Sequence, residues 1–521
     1  MIPMSDLNLS MFRAYDIRTP SELLTDDLAV RLARAEAVYF RDIVGVSGIV
    51  VAHDARSTGP RYLQIGAEEF ARAGLEVVVV PGVCSTSMFY FSAMCHPEMA
   101  GVMFGASHNP AGDTGQKIVG PGVRPIAEHI GLEGGLDKIN ELYVQNAGGR
   151  RQEAGPVSQN QSRIRAFDPT YDYLHYSMAL AGVGEGDLDG LRLLHDYLNG
   201  AAGREMMLAF GRAGADLTPL HFAADGSFPL GDPNPVKQSV VRVGLDRLKS
   251  GEFTMGTFFD GDGDRVDFYR GDGAYLSSSF VYAAMLPYIR ERFPTPGVGV
   301  YADLKANPLA VMEMARAGFT VSVIRNGHSQ IKNSLFEDPN MIGAVEESAH
   351  FYEAFPAPNP QLSTLNSKPA RYCTENTLYI ALLIARAWKE NPARLAELFE
   401  IQARTSRERE WGYKFPSDEQ RQAALDAVHA HFENAGARAL TRMANGYDLE
   451  ATMLRKGMPF EIDENTRVSD DWLQVCQRIS QSEDRLARWE VVAADPGIAA
   501  QAKSDIAAIV RRFGAGDEYQ G

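Results

Sequence analysis

Three aspartates stand at alternate positions in Asp260-Gly261-Asp262-Gly263-Asp264-Arg265, between the strand-like runs TMGTFF and VDFY. The intervening glycines let the backbone fold tightly enough for the carboxylates to converge on one hard cation. Without a cation, three carboxylates so close together would repel one another. An all-oxygen ligand set beside a phosphate suits Mg²⁺. An EF-hand is excluded, because its twelfth loop position would be Gly271 rather than a bidentate glutamate and the flanks read as strands. The bland alternative is a solvated acidic turn.

A second segment runs Gly101-Val102-Met103-Phe104-Gly105-Ala106-Ser107-His108-Asn109-Pro110 and continues to Gly115-Gln116-Lys117. An apolar strand passes into small residues and then into a polar turn stopped by Asn-Pro, which predicts an exposed Ser107 held by backbone geometry. It is not a hydrolase nucleophile elbow, since Asn109 stands where that motif needs glycine. It is not a P-loop, since no Gly-Lys-Ser/Thr is present. A plain turn remains the alternative. The segments Arg325-Asn326-Gly327-His328-Ser329-Gln330-Ile331-Lys332 and Glu346-Glu347-Ser348-Ala349-His350 follow the runs FTVSVI and IGAV. Both place polar groups at strand ends, where open α/β sheets bind ligands. A carboxylate and a hydroxyl two residues apart suit neighbouring sugar hydroxyls, with capping or turn chemistry as the alternative.

The elements that must position these residues show a repeat. Ala71-Arg72-Ala73-Gly74 recurs as Gly211-Arg212-Ala213-Gly214 and Ala315-Arg316-Ala317-Gly318. Each copy ends a helical segment and precedes a strand-like run, LEVVVV, ADLTPL or FTVSVI. Upstream lies another such run ending in aspartate: IVVAHD (Asp54), LRLLHD (Asp196) and VGVYAD (Asp303). The glycine suits a left-handed helix C-cap, and the pattern predicts a right-handed strand–helix–strand crossover. Spaced over 100 residues apart, the copies fit three related α/β domains rather than a solenoid. Chance recurrence of a common helix ending is the alternative. Beyond about residue 403 the chain becomes charged and helical, then ends in RWEVVAAD and a helix opened by Pro496. Ile498, Ile506, Ile509 and Phe513 could share one face of it, as in a smaller α+β domain. Arg150–Gln161 reads as an interdomain link, and Phe355–Pro369 as a long surface loop.

With 521 residues the chain exceeds one domain, and 45% apolar with 23% charged residues excludes bulk disorder. A net charge of −16 argues against nucleic acid or an anionic membrane as partner, while leaving room for a local basic pocket. Four cysteines make no disulfide framework, and no Cys-x-x-Cys pair suggests zinc. The N-terminus does not read as a signal peptide, and no apolar run reaches the length of a bilayer span. The expectation is a reduced, cytoplasmic protein. The sequence sets no oligomeric state.

Taken in order, the segments resemble the α-D-phosphohexomutase family, which includes phosphomannomutases and phosphoglucomutases. Phe12-Arg13-Ala14-Tyr15-Asp16-Ile17-Arg18 is close to that family's opening F-R-x-Y-D-I-R. The serine loop, the D-G-D-G-D-R loop, the G-H-S-x-I-K loop and the E-x-S-x-H loop follow, and FAADGSFPLGDPNP (Phe222–Pro235) is similar to a further family segment. The resemblance implies an α/β protein of four domains around a central cleft: three related α/β domains with mixed sheets at 1–165, 166–273 and 274–402, and a smaller α+β one at 403–521. It implies that Ser107 is carried as phosphoserine, and that Asp260, Asp262 and Asp264 bind Mg²⁺ together with a Ser107 phosphate oxygen. Glu346 and Ser348 would contact sugar hydroxyls, with His328 near the sugar. Tyr15, Arg18, Lys117, Arg265 and Lys305 would position or neutralise phosphoryl groups. The implied substrate is a phosphorylated hexose, with a hexose 1,6-bisphosphate as intermediate and activator. His328, Lys117 and Lys305 are all candidates to take the proton from the attacking hydroxyl.

One departure stands out. The family's terminal R-x-S-N/G-T-E-P phosphate loop corresponds to Arg478-Ile479-Ser480-Gln481-Ser482-Glu483-Asp484. Arg478, Ser480 and Ser482 carry over, while Asp484 brings a negative charge near a dianion and Arg485 is available to offset it. Phe355–Pro369 also looks like an insertion. Competing readings are a phosphosugar-binding protein without turnover, a phosphatase passing phosphoryl from Ser107 to water, and a glucosamine-phosphate mutase. Glu346–His350 looks more like the hexose than the aminosugar branch.

Overall fold

The three recurring segments fold alike. Each begins with a strand (Gly48–His53, Arg192–Asp196, Gly299–Asp303), passes through a helix (Gly59–Arg72, Gly203–Arg212, Pro308–Arg316) and returns in a strand (Glu76–Val83, Asp216–Leu220, Thr320–Ile324). The two strands of each pair are parallel. Gly74, Gly214 and Gly318 take φ of +94°, +83° and +85°, the left-handed conformation that ends a helix at little cost for glycine. The aspartates share a job too. Asp54, Asp196 and Asp303 each accept the backbone N–H two residues on, from Arg56 (2.9 Å), Leu198 (3.1 Å) and Lys305 (3.2 Å). This turn carries the chain out of the sheet at the strand's C-terminal end, where α/β sheets place ligands.

The computed structural model describes residues 7–145, 162–359, 364–365, 368–369, 371–480 and 483–520. The expected link Arg150–Gln161 lies outside the described residues. The chain packs as two compact units. The first takes in Met1–Tyr275, His328–Pro339 and His350–Lys389. Its first sheet runs Ile17–Pro20, Asp113–Gly120, Ala100–Phe104, Gly48–His53, Glu76–Val83, Ile164–Ala166. The strand Gly48–His53 is buried along its whole length, as expected for a parallel strand covered on both faces. The strand Ala100–Phe104, which leads into the Ser107 turn, is parallel to it and antiparallel to Asp113–Gly120, which carries Lys117. A second mixed sheet pairs Met255–Phe259 with Arg192–Asp196 in parallel and with Val266–Arg270 antiparallel. The D-G-D-G-D-R segment is the connection between Met255–Phe259 and Val266–Arg270. His350–Phe355 and Tyr372–Glu375 form an antiparallel pair. Within the expected surface loop Phe355–Pro369, Thr364–Leu365 and Lys368–Pro369 also pair as antiparallel strands.

The second unit takes in Leu276–Gly327, Asn340–Ala349 and Glu390–Gly521. Gly299–Asp303 lies between Thr320–Ile324 and Met341–Glu346, all parallel. A six-stranded antiparallel sheet follows, ordered Arg438–Arg442, Asp448–Lys456, Leu473–Ile479, Leu486–Ala493, Ser406–Lys414, Glu518–Gln520. The helices Asp418–Asn434 and Pro496–Arg511 share a hydrophobic core with it. Pro496 does open the last helix, and Asp495 caps it by accepting from Gly497 N and Ile498 N. Ile506 and Ile509 are buried in that core, with Ile498 and Phe513 packed against it. Among the described residues, no helix is long and apolar enough to cross a membrane.

Candidate active site

The serine loop is held from below by one arginine. Arg56, almost fully buried, donates to the carbonyls of Ser107 (2.9 Å), Asn109 (2.7 Å), Pro110 (2.5 Å) and Asp113 (3.0 Å). Asp54 accepts from Ala106 N at 3.2 Å, and Ser107 itself adopts φ +50°, a conformation that non-glycine residues reach only when the surroundings impose it. The Ser107 hydroxyl donates to Asp260 Oδ2 at 3.0 Å, and His108 Nδ1 lies 3.3 Å away. The expectation of an exposed serine is corrected: Ser107 is only 2% exposed. The reason is the close approach of the aspartate loop. A Cβ at Gly261 would stand 2.7 Å from the Ser107 carbonyl oxygen and 2.7 Å from Pro233 Cγ, so glycine there lets the two loops touch.

The aspartate loop closes on itself. Asp260 Oδ1 accepts the backbone N–H groups of Asp264 and Arg265, both at 3.1 Å, and Gly263 takes φ +71°. Thr86 Oγ1 donates to Asp262 Oδ2 at 2.6 Å. Lys117 Nζ donates to the same oxygen at 2.7 Å and also to Asp264 Oδ2. His350 Nε2 stands 3.4 Å from Asp264 Oδ1, and Arg265 Nε 3.8 Å from Asp260 Oδ2. All three aspartates are at most 2% exposed. Burial, reinforced by its two sister carboxylates, pushes Asp260 well above the usual carboxylate range. Burial also opposes ionisation of Asp264, but Lys117, His350 and Arg265 outweigh it and hold it well below that range.

The donor set fits a hard divalent cation. One oxygen from each of Asp260, Asp262 and Asp264 lies within 4.8 Å of the others. Asp262 Oδ1 is buried and has no hydrogen-bond partner, an arrangement that costs free energy unless a cation or water completes it.

The opening motif lies beside this loop. Arg18 Nη1 donates to Asn109 Oδ1 at 2.7 Å, and its Nε grips Asp16 at 2.8 and 3.0 Å. His328 Nε2 is 3.9 Å from Asp16. Its ring meets Tyr15 edge-on at 6.2 Å, and Ser329 Oγ donates to the Tyr15 carbonyl at 3.2 Å. Burial, helped by nearby Lys332, lowers the His328 pKa to about 4, so the imidazole is neutral at pH 7. Lys117 moves the other way: burial disfavours its charge, but Asp262 and Asp264 outweigh that and raise it well above the usual value.

The second unit gathers the remaining candidates. Glu346 Oε1 accepts from Asn326 Nδ2 and Gly327 N, both at 3.1 Å, while Ser348 is half-buried. Asp303 Oδ2 accepts from Asn326 at 2.9 Å and faces Lys305 Nζ at 3.6 Å. Burial raises Asp303 to about 7 against the pull of Lys305. Lys305 itself stays charged, since Asp303, Glu410 and Glu490 overcome its burial. Arg478 is gripped by Glu410 at 2.9 Å rather than standing open. Ser480 is buried, and Ser482 lies outside the described residues.

Family profiles described as "Phosphoglucomutase/phosphomannomutase, alpha/beta/alpha domain I" and "domain II" match residues 9–133 and 172–273. Over these two domains the chain is similar to the α-D-phosphohexomutase family. A phosphomannomutase from Salmonella montevideo is 29% identical over 362 residues, covering 67% of this chain and 74% of that one. A phosphoglucomutase from Neisseria meningitidis is 26% identical over 351 residues, covering 67% and 71%. The fold matches the crystal structure of a phosphoglucomutase/phosphomannomutase family protein from Burkholderia thailandensis, with TM-score 0.75 and 22% identity over 98% of this chain and 99% of that one.

Two residues of this site escape a motif-by-motif reading. Arg56 organises the serine loop, and Glu410 engages Arg478. The repeat itself held the signal for Arg56: it stands two residues past Asp54, as Lys305 stands two past Asp303. Glu410 lies in no motif.

Proposed function

We propose that this phosphohexomutase moves phosphate between O1 and O6 of mannose or glucose by way of a phosphoryl group carried on Ser107. As an isomerase it returns the same sugar phosphate with the group relocated. The observation that carries the reading is the Ser107 hydroxyl, 3.0 Å from Asp260 in the three-aspartate loop. Phosphoryl transfer needs positioning and charge stabilisation more than covalent help from the protein. Bound Mg²⁺ would supply Lewis-acid neutralisation of the transferring oxygens, held by Asp260, Asp262 and Asp264 with a Ser107 phosphate oxygen.

The chain's own groups divide the rest. Arg18, Lys117 and Arg265 supply positive charge at the serine, with Tyr15 beside His328. In the first half-reaction the bond between phosphorus and Ser107 Oγ breaks as one forms to the free sugar hydroxyl, whose proton goes to His328. Among the three candidate proton acceptors His328 alone is neutral, because Lys117 and Lys305 are held as ammonium ions by neighbouring carboxylates. The 1,6-bisphosphate then turns end over end and returns its other phosphoryl to Ser107, with His328 giving the proton back. Free 1,6-bisphosphate would act as activator by rephosphorylating Ser107. Glu346 and Ser348 would hold sugar hydroxyls, and Lys305, Arg478, Ser480 and Ser482 the phosphate that does not react. The organisation proposed with this reading is four domains, at 1–165, 166–273, 274–402 and 403–521.

Ser107→Ala tests it. Mutase turnover in a coupled assay should fall by more than about 10³-fold, the scale seen when a covalent nucleophile is removed. Turnover close to that of the unmodified chain would refute the proposal. Running mannose 1-phosphate, glucose 1-phosphate and glucosamine 1-phosphate side by side fixes the sugar. Inorganic phosphate as main product would instead indicate transfer to water.

A further inference from the structure

Arg478 and Arg488 stand opposite each other on the neighbouring strands Leu473–Ile479 and Leu486–Ala493. The strand Ser406–Lys414 pairs with the second of these but carries one extra residue. Glu408 faces Val491 while Trp411 faces Trp489. A bulge of this kind bends the strand and re-aims its side chains. Glu410 lies in it and delivers its carboxylate to both guanidiniums. Its oxygens accept from Arg478 Nε at 3.2 Å, from Arg478 Nη2 at 3.0 and 2.9 Å, and from Arg488 Nη1 at 2.7 Å. The other Arg488 fork donates to Glu483 at 2.6 Å.

This is the fork geometry by which arginine holds a carboxylate or a phosphate. The anion it now holds belongs to the protein. Glu410 keeps one-fifth of its side-chain surface exposed, as does Arg478, so an incoming anion has an approach. Glu483 also lines a cavity of about 410 Å³ together with Lys414, Phe415, Asp484 and Arg485. A phosphate dianion and the Glu410 carboxylate would repel each other strongly if both sat on this arginine pair.

We infer that Glu410 is a resident competitor for the anion site of Arg478 and Arg488, one that the non-reacting phosphate of a sugar phosphate must displace. The inference rests on the phosphohexomutase reading and adds an element of control to it. The cycle requires one phosphate of the bisphosphate to leave this site and the other to take its place. A carboxylate ready to reoccupy the arginines lowers affinity for either phosphate and so favours exchange.

The test is Glu410→Gln, which keeps the side chain's shape and removes its charge. Calorimetric titration with glucose 6-phosphate, and separately with inorganic phosphate, should show binding at least about fivefold tighter than in the unmodified chain, as expected when a charged competitor for an arginine fork is neutralised. KM should fall further than kcat. Glu410→Asp, whose carboxylate falls short of the arginines, should shift affinity in the same direction and serves if the glutamine variant does not fold. Arg478→Ala should weaken binding of both ligands. Unchanged or weaker binding in both Glu410 variants would overturn the inference, leaving Glu410 as a strut for the arginines. So would undiminished binding in Arg478→Ala. These are binding measurements, so they stand whatever Ser107→Ala does to turnover. Tighter binding of inorganic phosphate alone, with no binding of glucose 6-phosphate by any variant, would retain the anion site and sink the sugar-phosphate reading.

Discussion

The two units each hold a charge cluster, buried in the first and half-buried in the second, and the clusters are opposites. Around Ser107, three aspartates outnumber the ammonium that bonds two of them, Lys117. In the second unit, two arginines converge on one glutamate, Glu410. The first arrangement has carboxylate left over and is built to take a cation. The second has its two guanidiniums held by Glu410 and Glu483, so an anion can enter only by replacing one of these carboxylates. In both, a side chain of opposite charge from the protein itself already makes the contacts a ligand would make. Leaving buried like charges without such a partner would cost several kcal/mol. In both, a ligand must therefore compete with a tethered group.

The largest effects should come from breaking the acidic cluster. Asp262→Asn removes the aspartate with the orphaned oxygen, and turnover should drop by about 10²–10³-fold, the scale of losing a preorganised electrostatic contact. Chelation with EDTA should abolish turnover in the unmodified chain, and added Mg²⁺ should restore it. Activity that survives chelation would remove the cation from the comparison. Lys117→Met is the sharper probe. Without a divalent ion it leaves Asp262 and Asp264 without the ammonium that bonds both, at a cost of up to about 3–5 kcal/mol, seen as a lowered midpoint in thermal melts. Added Mg²⁺ should raise that midpoint more in the variant than in the unmodified chain. An equal rise in both would show that lysine and metal do not share the aspartates.

What was legible in the sequence follows the same contrast. The acidic cluster is local: Asp260, Asp262 and Asp264 are separated by single glycines, so chain geometry alone brings them together. The strand–helix–strand repeats were legible because hydrophobic runs and a C-cap glycine are local as well. Their shared aspartate turn could have exposed Arg56, since the pattern fixes its position two residues on. The burial of Ser107 was not legible, because it comes from a loop 153 residues away. The partner of Arg478 was hidden for the same reason. Glu410 reaches it through an extra residue in one strand, and nothing in Ser406–Lys414 marks where the register slips.

The smallest effect should come from the pair that joins the opening motif to the serine loop. Asp16 is buried, which by itself would raise its pKa. Arg18, helped by His328, outweighs that burial and brings it to about 2, from an ordinary value of 3.8. A carboxylate whose folded pKa is depressed stabilises the fold above its unfolded pKa, and that contribution fades as pH falls through the folded one. The shift is worth about 2 kcal/mol at pH 7 and should decline between roughly pH 4 and pH 2. Asp16→Asn should therefore melt earlier than the unmodified chain at pH 7, with the gap closing as the buffer approaches pH 2. Because Arg18 also bonds Asn109, two residues from Ser107, the same substitution releases one of the two holds on this guanidinium without removing any aspartate of the acidic loop. A fall in turnover with unaltered Mg²⁺ dependence would place the pair in positioning the serine loop. A weakened response to Mg²⁺ would extend the acidic cluster to include Asp16.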